Sequence, residues 1–402
     1  MQLRSHLPRT QFLIPHPKFL IIIKVNFRDL SKQYLVLKND IDAAMLSVAS
    51  SSKYIMGPQV KELEAQLAEY VGVKHCLTCA NGTDALTLAL KAWGVGEGDA
   101  VFVPDFTFFS SAEVVSLEGA TPVFVDVCPD TFNISVESLR SAYDRVVSEG
   151  KLRPRVVVAV DLFGLPADYP SLRQFCDEYH LLILEDGAQG FGGSINGRRA
   201  CSFGDISTTS FFPAKPLGCY GDGGAVFTDN DEWASLIDSY RVHGKGTFKY
   251  DNVRIGMNSR LDTLQAAILQ VKLRAFADYE LDAVNRAAEL YTSLLSGAVV
   301  TPTIPSGFRS SWAQYTIRLT SREQRDALQQ HLKSLDIPSM VYYPTPMHAQ
   351  TAFANLLPQE SGWDCASSSL LSTTVLSLPM HPYLTDSDIR IVSDAILSYL
   401  RK

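Results

Sequence analysis

The chain has 402 residues, of which 46% are hydrophobic and 10% aromatic, so it is long enough for one large globular domain with a smaller companion. Its 36 Lys and Arg against 43 Asp and Glu give a net charge of −7, which excludes an overall basic field for nucleic acid or an anionic membrane. Seven cysteines, an odd number in hydrophobic surroundings, are typical of buried thiols in a reducing cytoplasm and argue against a disulfide framework.

The first 24 residues differ from the rest of the chain. They contain one apolar run, Phe19–Ile23, which is too short to span a bilayer. The pattern indicates neither a signal peptide nor a membrane anchor. We expect residues 1–24 to be a disordered extension, with the globular part beginning near Val25.

Helical and strand patterns then alternate from about residue 58 to residue 241, as in an α/β domain with a mostly parallel sheet. Apolar residues at helical spacing predict helices at 60–71, 81–93, 107–118, 135–149, 168–179 and 232–241. Short apolar and β-branched runs predict strands at 100–103, 123–125, 156–160, 181–184, 206–210 and 224–227. These lengths fit the crossover connections of a parallel sheet.

A different pattern follows residue 258. A long helical stretch, 261–295, leads to a strand at 315–319, a helix at 322–334, an extended run at 339–343 and an amphipathic helix at 386–400. We therefore expect a large domain over residues 25–270 and a small C-terminal α+β domain over residues 271–402. Because the boundary falls within the long helix, the two parts should be packed together.

The first chemical motif in chain order is Asn81-Gly82-Thr83, at the predicted start of a helix. Backbone N–H groups of a first helical turn, together with the Thr83 hydroxyl, would form a phosphate site. An ordinary N-cap explains Asn81 equally well.

Two further motifs follow predicted strands. The aromatic run Phe106–Phe109 offers a face for a planar ring, although most such runs are core. The buried strand ending at Glu185 and Asp186 places a carboxylate at the carboxyl edge of the sheet, where ligands of α/β folds bind. Asp186 could hold a protonated ring nitrogen; the alternatives are a helix N-cap or a buried ion pair.

Lys215 lies in the rigid, apolar run Ser210–Gly224. Removing a lysine from water lowers the pKa of its amine, and a neutral amine can attack an aldehyde to form a Schiff base. The alternative is a loop lysine whose stem packs on apolar surface while its ammonium reaches water.

An amine, an acid for a ring nitrogen, an aromatic face and an anion-binding helix start together indicate pyridoxal 5′-phosphate as cofactor. Cys76 and Cys79 form a C-x-x-C pair without a second pair or a nearby histidine cluster, so we predict no metal site.

From about Phe27 onward the chain resembles the DegT/DnrJ/EryC1/StrS sugar aminotransferases. Five ordered motifs carry the resemblance: Tyr54–Pro58, Ala80–Leu86, Glu185–Gln189, Ser210–Gly224 and Gly256–Leu269. The resemblance implies the type I, aspartate aminotransferase-like fold of pyridoxal-phosphate enzymes.

The resemblance also implies roles for individual residues. Lys215 would carry the cofactor and move the proton, Asp186 would pair with the ring nitrogen, and Gln189 with the ring hydroxyl. Phe108 would stack on the ring. The phosphate would be held by Gly82, Thr83, Ser210 and, from the neighbouring subunit of a homodimer, Asn258.

The implied reaction moves an amino group, most simply from glutamate, to a keto carbon of a nucleotide-linked sugar for polysaccharide, O-antigen or antibiotic sugar synthesis. Within the family the chain is most similar to enzymes acting on UDP-2-acetamido-2-deoxy-3-oxo-glucuronate. Arg260 is a candidate for the substrate carboxylate or diphosphate, with a structural ion pair to Asp262 or another acid as the alternative. Tyr343 is a further candidate, and Tyr342 stands where the family usually has histidine.

Other functions stay open at this point. A dTDP-linked 3-keto or 4-keto-6-deoxy sugar is the alternative substrate. The dehydratases of this family carry histidine at the lysine position, so Lys215 argues against that activity. A cofactor-binding regulator on the same fold is the alternative from another class, because fold does not fix function.

Overall fold

The computed structural model describes residues 25–248, 250–356 and 364–401, so the predicted extension at 1–24 lies outside the described residues. The strands are β1 (His75–Cys79), β2 (Asp99–Pro104), β3 (Thr121–Val125), β4 (Arg153–Val160), β5 (Leu182–Asp186), β6 (Ser194–Ile195), β7 (Arg198–Arg199), β8 (Ile206–Ser210), β9 (Gly224–Thr228), β10 (Phe308–Arg309), β11 (Tyr315–Arg318) and β12 (Val375–Leu378). The α-helices are α1 (Leu30–Ser51), α2 (Pro58–Val71), α3 (Gly82–Ala92), α4 (Ser110–Leu117), α5 (Val136–Glu149), α6 (Tyr169–Tyr179), α7 (Asp231–Tyr240), α8 (Thr263–Ala275), α9 (Leu281–Leu295), α10 (Arg322–Ser334), α11 (Ala366–Thr374) and α12 (Asp386–Leu400).

A seven-stranded sheet forms the centre of the molecule, in the order β1-β9-β8-β5-β4-β2-β3. Neighbouring strands from β8 to β3 pair in parallel, whereas β9 runs antiparallel to both β1 and β8. The prediction of an α/β fold with a mostly parallel mixed sheet is confirmed. Parallel strands place their carboxyl ends at one edge, and this edge carries the candidate site.

Both faces of this sheet are buried, which explains the apolar sequence of its central strands. In β4, Val156 and Val158 belong to one apolar cluster, while Val157 and Ala159 belong to another on the opposite face. Successive side chains of a strand point to opposite faces, so the run of valines fills two cores. Helices α3 and α4 pack on the first side, and α5 and α6 on the second.

The C-terminal part contains a two-stranded antiparallel sheet, β11 with β12, packed by α9, α10 and α12. The extended run predicted at 339–343 is not a strand: its pairing is limited to one bridge, between Met340 and Ser377 on the side of β12 away from β11. The long helix predicted at 261–295 is divided by a π-helical turn, Phe276–Glu280, between α8 and α9. The expected domain boundary at residue 270 lies inside α8.

Helix α1 extends over 22 residues and packs along α8, although the sequence patterns did not predict it. Asp29 caps its start by accepting a hydrogen bond from the Lys32 N–H at 2.9 Å. Within the described part of the chain, no helix combines the length and apolar character needed to cross a membrane.

Candidate functional site

The candidate site lies where the parallel strands end. In β5, Asp186 is the last residue, level with Val160 of β4 and Thr208 of β8. The residue before it, Glu185, points to the other side and accepts hydrogen bonds from the Phe203 N–H at 2.7 Å and the Ser207 hydroxyl at 2.7 Å. Alternation along the strand therefore directs one acid into the scaffold and the other to the edge.

The Asp186 side chain is only 5% exposed. Its Oδ2 accepts a hydrogen bond from the Ser111 hydroxyl at 2.8 Å, and its Oδ1 accepts one from the Ala188 N–H at 3.2 Å. Burial raises the pKa of the carboxyl group, while Ser111 and the positive charge of Lys215 oppose this shift. A buried carboxylate at this edge is suited to bind a cationic group.

Lys215 follows β8 in a tight turn. Its N–H donates to the Phe212 carbonyl at 2.8 Å, and its own carbonyl accepts from the Arg28 guanidinium at 2.7 Å. The loss of surrounding water lowers the pKa of the Lys215 amine; Asp186 raises it and Arg28 lowers it further. The amine therefore loses its proton more readily than that of an exposed lysine.

Aromatic rings surround this amine. Lys215 Nζ lies 6.0 Å from the centroid of the Phe108 ring, which is 51% exposed. Tyr343 packs 6.1 Å from Phe108, centroid to centroid, and its hydroxyl accepts a hydrogen bond from Gln189 Nε2 at 3.1 Å. The Gln189 side-chain oxygen in turn accepts from the Phe163 N–H at 2.8 Å, which fixes the orientation of the amide.

The start of α3 and the end of β8 approach each other closely. A side chain at Gly82 would place its Cβ 2.7 Å from Ser210 Cβ, a distance at which one of the two elements must shift. Asn81 caps the helix by accepting a hydrogen bond from the Asp84 N–H at 2.8 Å, as the alternative interpretation expected; the phosphate site at Asn81-Gly82-Thr83 stays a prediction. The Thr83 hydroxyl lies 2.9 Å from the Ser110 hydroxyl. The first-turn N–H groups of α3 and the hydroxyls of Thr83, Ser110 and Ser210 therefore lie close together.

Three predicted residues are arranged differently. Asn258 is exposed, and its side-chain oxygen accepts a hydrogen bond from Arg260. Arg260 forms no ion pair with Asp262 within the described part of the chain, so the proposed alternative for Arg260 is not observed. The Tyr342 ring is half-buried and packs between Phe27 and Tyr343.

The sequence analysis missed several residues that support the site. Ser111 binds Asp186 from α4, and Arg28 reaches Lys215 from ahead of α1. Asp105 and His348 join the aromatic turn after β2 to the loop of Tyr343, with His348 Nδ1 2.7 Å from Asp105 Oδ2. Of these residues, only Asp105 carried a signal in the sequence, because it is an acid that closely follows the predicted strand at 100–103.

The cysteines take no part in this site. Cys76 and Cys79 belong to apolar clusters on different sides of the sheet, and burial raises the pKa of Cys79 to about 12. The Cys365 thiol lies near the Asp105 and His348 side chains, all ligand atoms within 4.8 Å of one another. Burial raises the pKa of this thiol, and His348 Nδ1 is already hydrogen-bonded to Asp105.

These residues fit pyridoxal phosphate. Helix N–H groups and hydroxyls suit its phosphate, the buried Asp186 carboxylate suits its ring nitrogen, and an exposed Phe108 face next to an amine suits its ring. A Cβ at Gly82 would collide with Ser210, so the glycine allows the first turn of α3 to lie very close to the end of β8.

A family model for the DegT/DnrJ/EryC1/StrS aminotransferase family matches residues 36–397. The chain belongs to this family. The aminotransferase is 42% identical to the UDP-2-acetamido-2-deoxy-3-oxo-D-glucuronate aminotransferase of Pseudomonas aeruginosa over 372 residues, which cover 92% of this chain and 99% of that one. It is 40% identical over 383 residues to a pleiotropic regulatory protein of Geobacillus stearothermophilus, covering 94% and 99% of the two chains.

A solved structure is also similar. The crystal structure of a DegT DnrJ EryC1 StrS aminotransferase from Brucella abortus superposes with a TM-score of 0.90 at 46% identity, covering 94% of this aminotransferase and 100% of that chain. The family predicted from the five motifs is confirmed, and with it the enzyme class.

Proposed function

We propose that this aminotransferase uses pyridoxal phosphate to move an amino group from glutamate to the keto carbon of a nucleotide-linked sugar. The observation that carries the proposal is the convergence of Lys215, Asp186 and Phe108 at one sheet edge, next to the α3 start. When bound, the cofactor supplies a carbonyl carbon that amines attack and a conjugated ring that withdraws electrons.

Lys215 supplies the amine to which the cofactor attaches. Because burial lowers the pKa of its Nζ, the Lys215 amine is better able than an exposed lysine to accept a proton from a reacting carbon and to return it. The 6.0 Å between Nζ and the Phe108 centroid leaves the amine above the face of that ring. A planar cofactor stacked on Phe108 would lie within its reach.

Asp186 binds the ring nitrogen of the cofactor. Its carboxylate keeps that nitrogen protonated, which strengthens the electron withdrawal by the ring. Ser111 and the Ala188 N–H donate hydrogen bonds that favour the carboxylate form and partly offset burial, which raises the pKa of Asp186. Gln189, fixed by Phe163 and bonded to Tyr343, contacts the ring hydroxyl.

The phosphate binds to Gly82, Thr83 and Ser210. A helix N-terminus carries a partial positive charge, so it stabilises a phosphate without the help of a lysine. Asn258 of a second subunit completes this site, since in one chain it is exposed and bonded to Arg260. The active enzyme is therefore a homodimer.

The sugar is a 3-keto nucleotide sugar, for which UDP-2-acetamido-2-deoxy-3-oxo-glucuronate is our first candidate. The similarity to the Pseudomonas aeruginosa enzyme supports this choice. Arg260 binds the carboxylate or diphosphate, because its guanidinium has only the neutral Asn258 as partner within the described residues. Tyr342 and Tyr343 line the sugar side of the ring. A dTDP-linked sugar is the alternative.

Two further points belong to this proposal. The enzyme works in the cytoplasm, which its seven free cysteines support. Its product serves polysaccharide or O-antigen synthesis. The similarity to a regulatory protein favours testing a second function, in which the chain binds cofactor without transferring an amino group.

A spectroscopic experiment tests the proposal. The purified enzyme should show visible absorption from bound pyridoxal phosphate that disappears when glutamate is added and returns with the correct keto sugar. The panel compares 3-keto and 4-keto sugars, UDP and dTDP carriers, and sugars with and without a carboxylate. Lys215→Ala should abolish the absorption, and a chain that binds cofactor but ignores every amino donor would be a regulator.

A further inference from the structure

Arg28 is an unusual neighbour for an active-site lysine. Its guanidinium lies half-buried behind the Lys215 turn and donates to the Lys215 carbonyl at 2.7 Å across 187 positions of sequence. Within the described part of the chain it forms no ion pair. Arg28 and Lys215 line one small cavity together with Pro213 and His381.

The segment before α1 holds Arg28 in place. Asp29 caps α1 through the Lys32 N–H at 2.9 Å and also accepts from Asn26 Nδ2 at 2.9 Å. The Phe27 carbonyl accepts from the Met380 N–H at 3.2 Å. With the residues on both sides anchored, the guanidinium approaches Lys215 from a fixed direction.

Arg28 lies among several charged groups. The Glu280 carboxylate partly offsets the Arg28 charge without forming an ion pair with it, and accepts hydrogen bonds from Gln33 at 2.9 Å and Tyr383 at 2.6 Å. Asp29 caps α1. The pKa of Lys272 falls to about 8 and that of His381 to about 4, in both cases mainly by burial and further because of Arg28. The positive charge of Arg28 therefore opposes protonation of Lys272 and His381, as it does for Lys215.

We infer that Arg28 is a positioning residue for Lys215: its guanidinium fixes the backbone that carries the amine, and its positive charge opposes a second positive charge on that amine. The inference rests on the proposed function, because it takes Lys215 as the reacting lysine. The Lys215 N–H is fixed by Phe212 and its carbonyl by Arg28, so the backbone on both sides of Cα is held. Little freedom is left except in the side chain.

The chemistry gives this arrangement a use. A lysine that must donate and accept protons near neutral pH works best when its protonated form is not strongly favoured. Burial lowers the pKa of Arg28 to about 10, so its guanidinium still carries a positive charge near neutral pH, and its planar fork can hold the Lys215 carbonyl at the same time. Arginine is therefore the cation suited to this position.

Four full-length variants, each loaded with pyridoxal phosphate, separate the two effects. Arg28→Gln removes the charge but keeps an amide donor, Arg28→Lys keeps the charge but loses the planar fork, and Arg28→Met removes both. Lys32→Met is the matched control: it removes a cation from the same segment, where Lys32 is exposed and bonds the Tyr383 carbonyl at 3.0 Å. The readout is the pH midpoint of the visible absorption change of the bound cofactor.

Arg28→Gln and Arg28→Met should raise this midpoint, increasing the protonated fraction relative to the neutral one about three- to tenfold at fixed pH, the effect of a partly screened charge. Arg28→Lys should leave the midpoint near that of the wild type and lower the rate of the glutamate half-reaction more than it changes the KM for glutamate. An unchanged midpoint in both uncharged variants, or an equal shift in Lys32→Met, would overturn the inference.

Failure of the inference and failure of the proposed function give different results. If Lys215 is not the reacting lysine, Lys215→Ala keeps the cofactor absorption whatever Arg28 does. If only the role of Arg28 is wrong, Lys215→Ala loses that absorption while the Arg28 variants titrate like the wild type. Circular dichroism of each variant confirms that it is folded before titration.

Discussion

Asp105 and His348 join the two loops that carry Phe108 and Tyr343. The fully buried Asp105 side chain accepts the His348 N–H at 2.8 Å and lies 2.7 Å from His348 Nδ1, while its carbonyl accepts the Met347 N–H at 2.8 Å. Asp105 stands just before the aromatic turn, and His348 just after the tyrosine loop. Loosening this pair should loosen both walls of the cofactor site.

The pair makes stability depend on pH. The hydrogen bond to Asp105 raises the pKa of His348 above its ordinary value, so the charged form is favoured in the folded chain. A raised pKa means that the contribution is complete below the unfolded value of about 6.5 and is lost as pH rises through the folded value. His348→Asn keeps a donor near Oδ2 without the charge.

We expect His348→Asn to reduce the free energy of unfolding by about 1 to 2 kcal/mol at pH 6, and by less at pH 9. Denaturation in urea at both values checks this. His180→Asn, which changes an exposed histidine at the end of α6, should have little effect at either pH. If His348→Asn loses the same amount of unfolding free energy at pH 6 and at pH 9, the positive charge of His348 contributes nothing to stability.

At the scale of elements, the proposed phosphate site would depend on how closely α3 approaches β8. Gly82 permits this approach. Gly224 permits a second one, between β9 and the residue that caps α3, since its Cβ would lie 2.4 Å from the Asn81 carbonyl oxygen. Alanine has a higher helix propensity than glycine, so any loss of cofactor binding in Gly82→Ala must come from the contact with Ser210. The glycine is therefore explained by packing and ligand approach.

Gly82→Ala should weaken binding of pyridoxal phosphate about ten- to a hundredfold, because an added methyl group in a packed contact costs about 1–3 kcal/mol. Titration of the cofactor, followed by its absorption, measures the Kd. Gly96→Ala is the control, as its Cβ would meet the Glu118 carbonyl oxygen at an ordinary 3.5 Å. Equal affinity in the two variants would show that the phosphate does not depend on this approach.

The elements also show what the sequence predicted and why. The parallel strands were readable because both faces are buried, which gives continuous apolar runs such as 156–160. Helix α1 was missed because its exposed face includes Leu35, Val36 and Leu46, which obscures its periodicity. Strand β12 was missed, and 339–343 was wrong, because the partner of β11 is decided by tertiary packing.

The candidate site, too, has residues that the sequence could bring together and residues that it could not. Lys215, Asp186 and Phe108 could be brought together on paper because strand ends share one edge. Arg28, Ser111 and His348 could not, because each reaches the site across 75 or more positions of sequence. The roles assigned to individual site residues stay predictions, whereas the fold, the family and the enzyme class are confirmed.

At the scale of the whole molecule, one chain leaves an ordered apolar loop uncovered. Phe248, Val253 and Ile255 are between 54% and 91% exposed, yet the His243 N–H bonds the Met257 carbonyl at 2.7 Å and the Val253 N–H bonds the Gly244 carbonyl at 2.9 Å. Exposed apolar side chains grouped in this way are what we expect at the interface of the proposed homodimer. Asn258 follows directly, which is where a residue serving a partner's site should lie.

Mixing two inactive variants tests whether the site is shared. Lys215→Ala removes the amine, and Asn258→Ala removes the proposed contribution to the neighbour's phosphate site. Each variant alone should show little activity. After dissociation and random reassembly, half of the dimers contain one chain of each kind, and in those the intact Lys215 site receives the intact Asn258. Such mixtures should recover about a quarter of the wild-type activity, since one site in two is complete in half of the dimers.

Lys215→Ala mixed with a Lys215→Ala, Asn258→Ala double variant is the control and should recover nothing. If an untagged variant co-purifies with a tagged one, showing that subunits have exchanged, and no activity returns, Asn258 acts in the site of its own chain. If Asn258→Ala is active alone, Asn258 serves neither site.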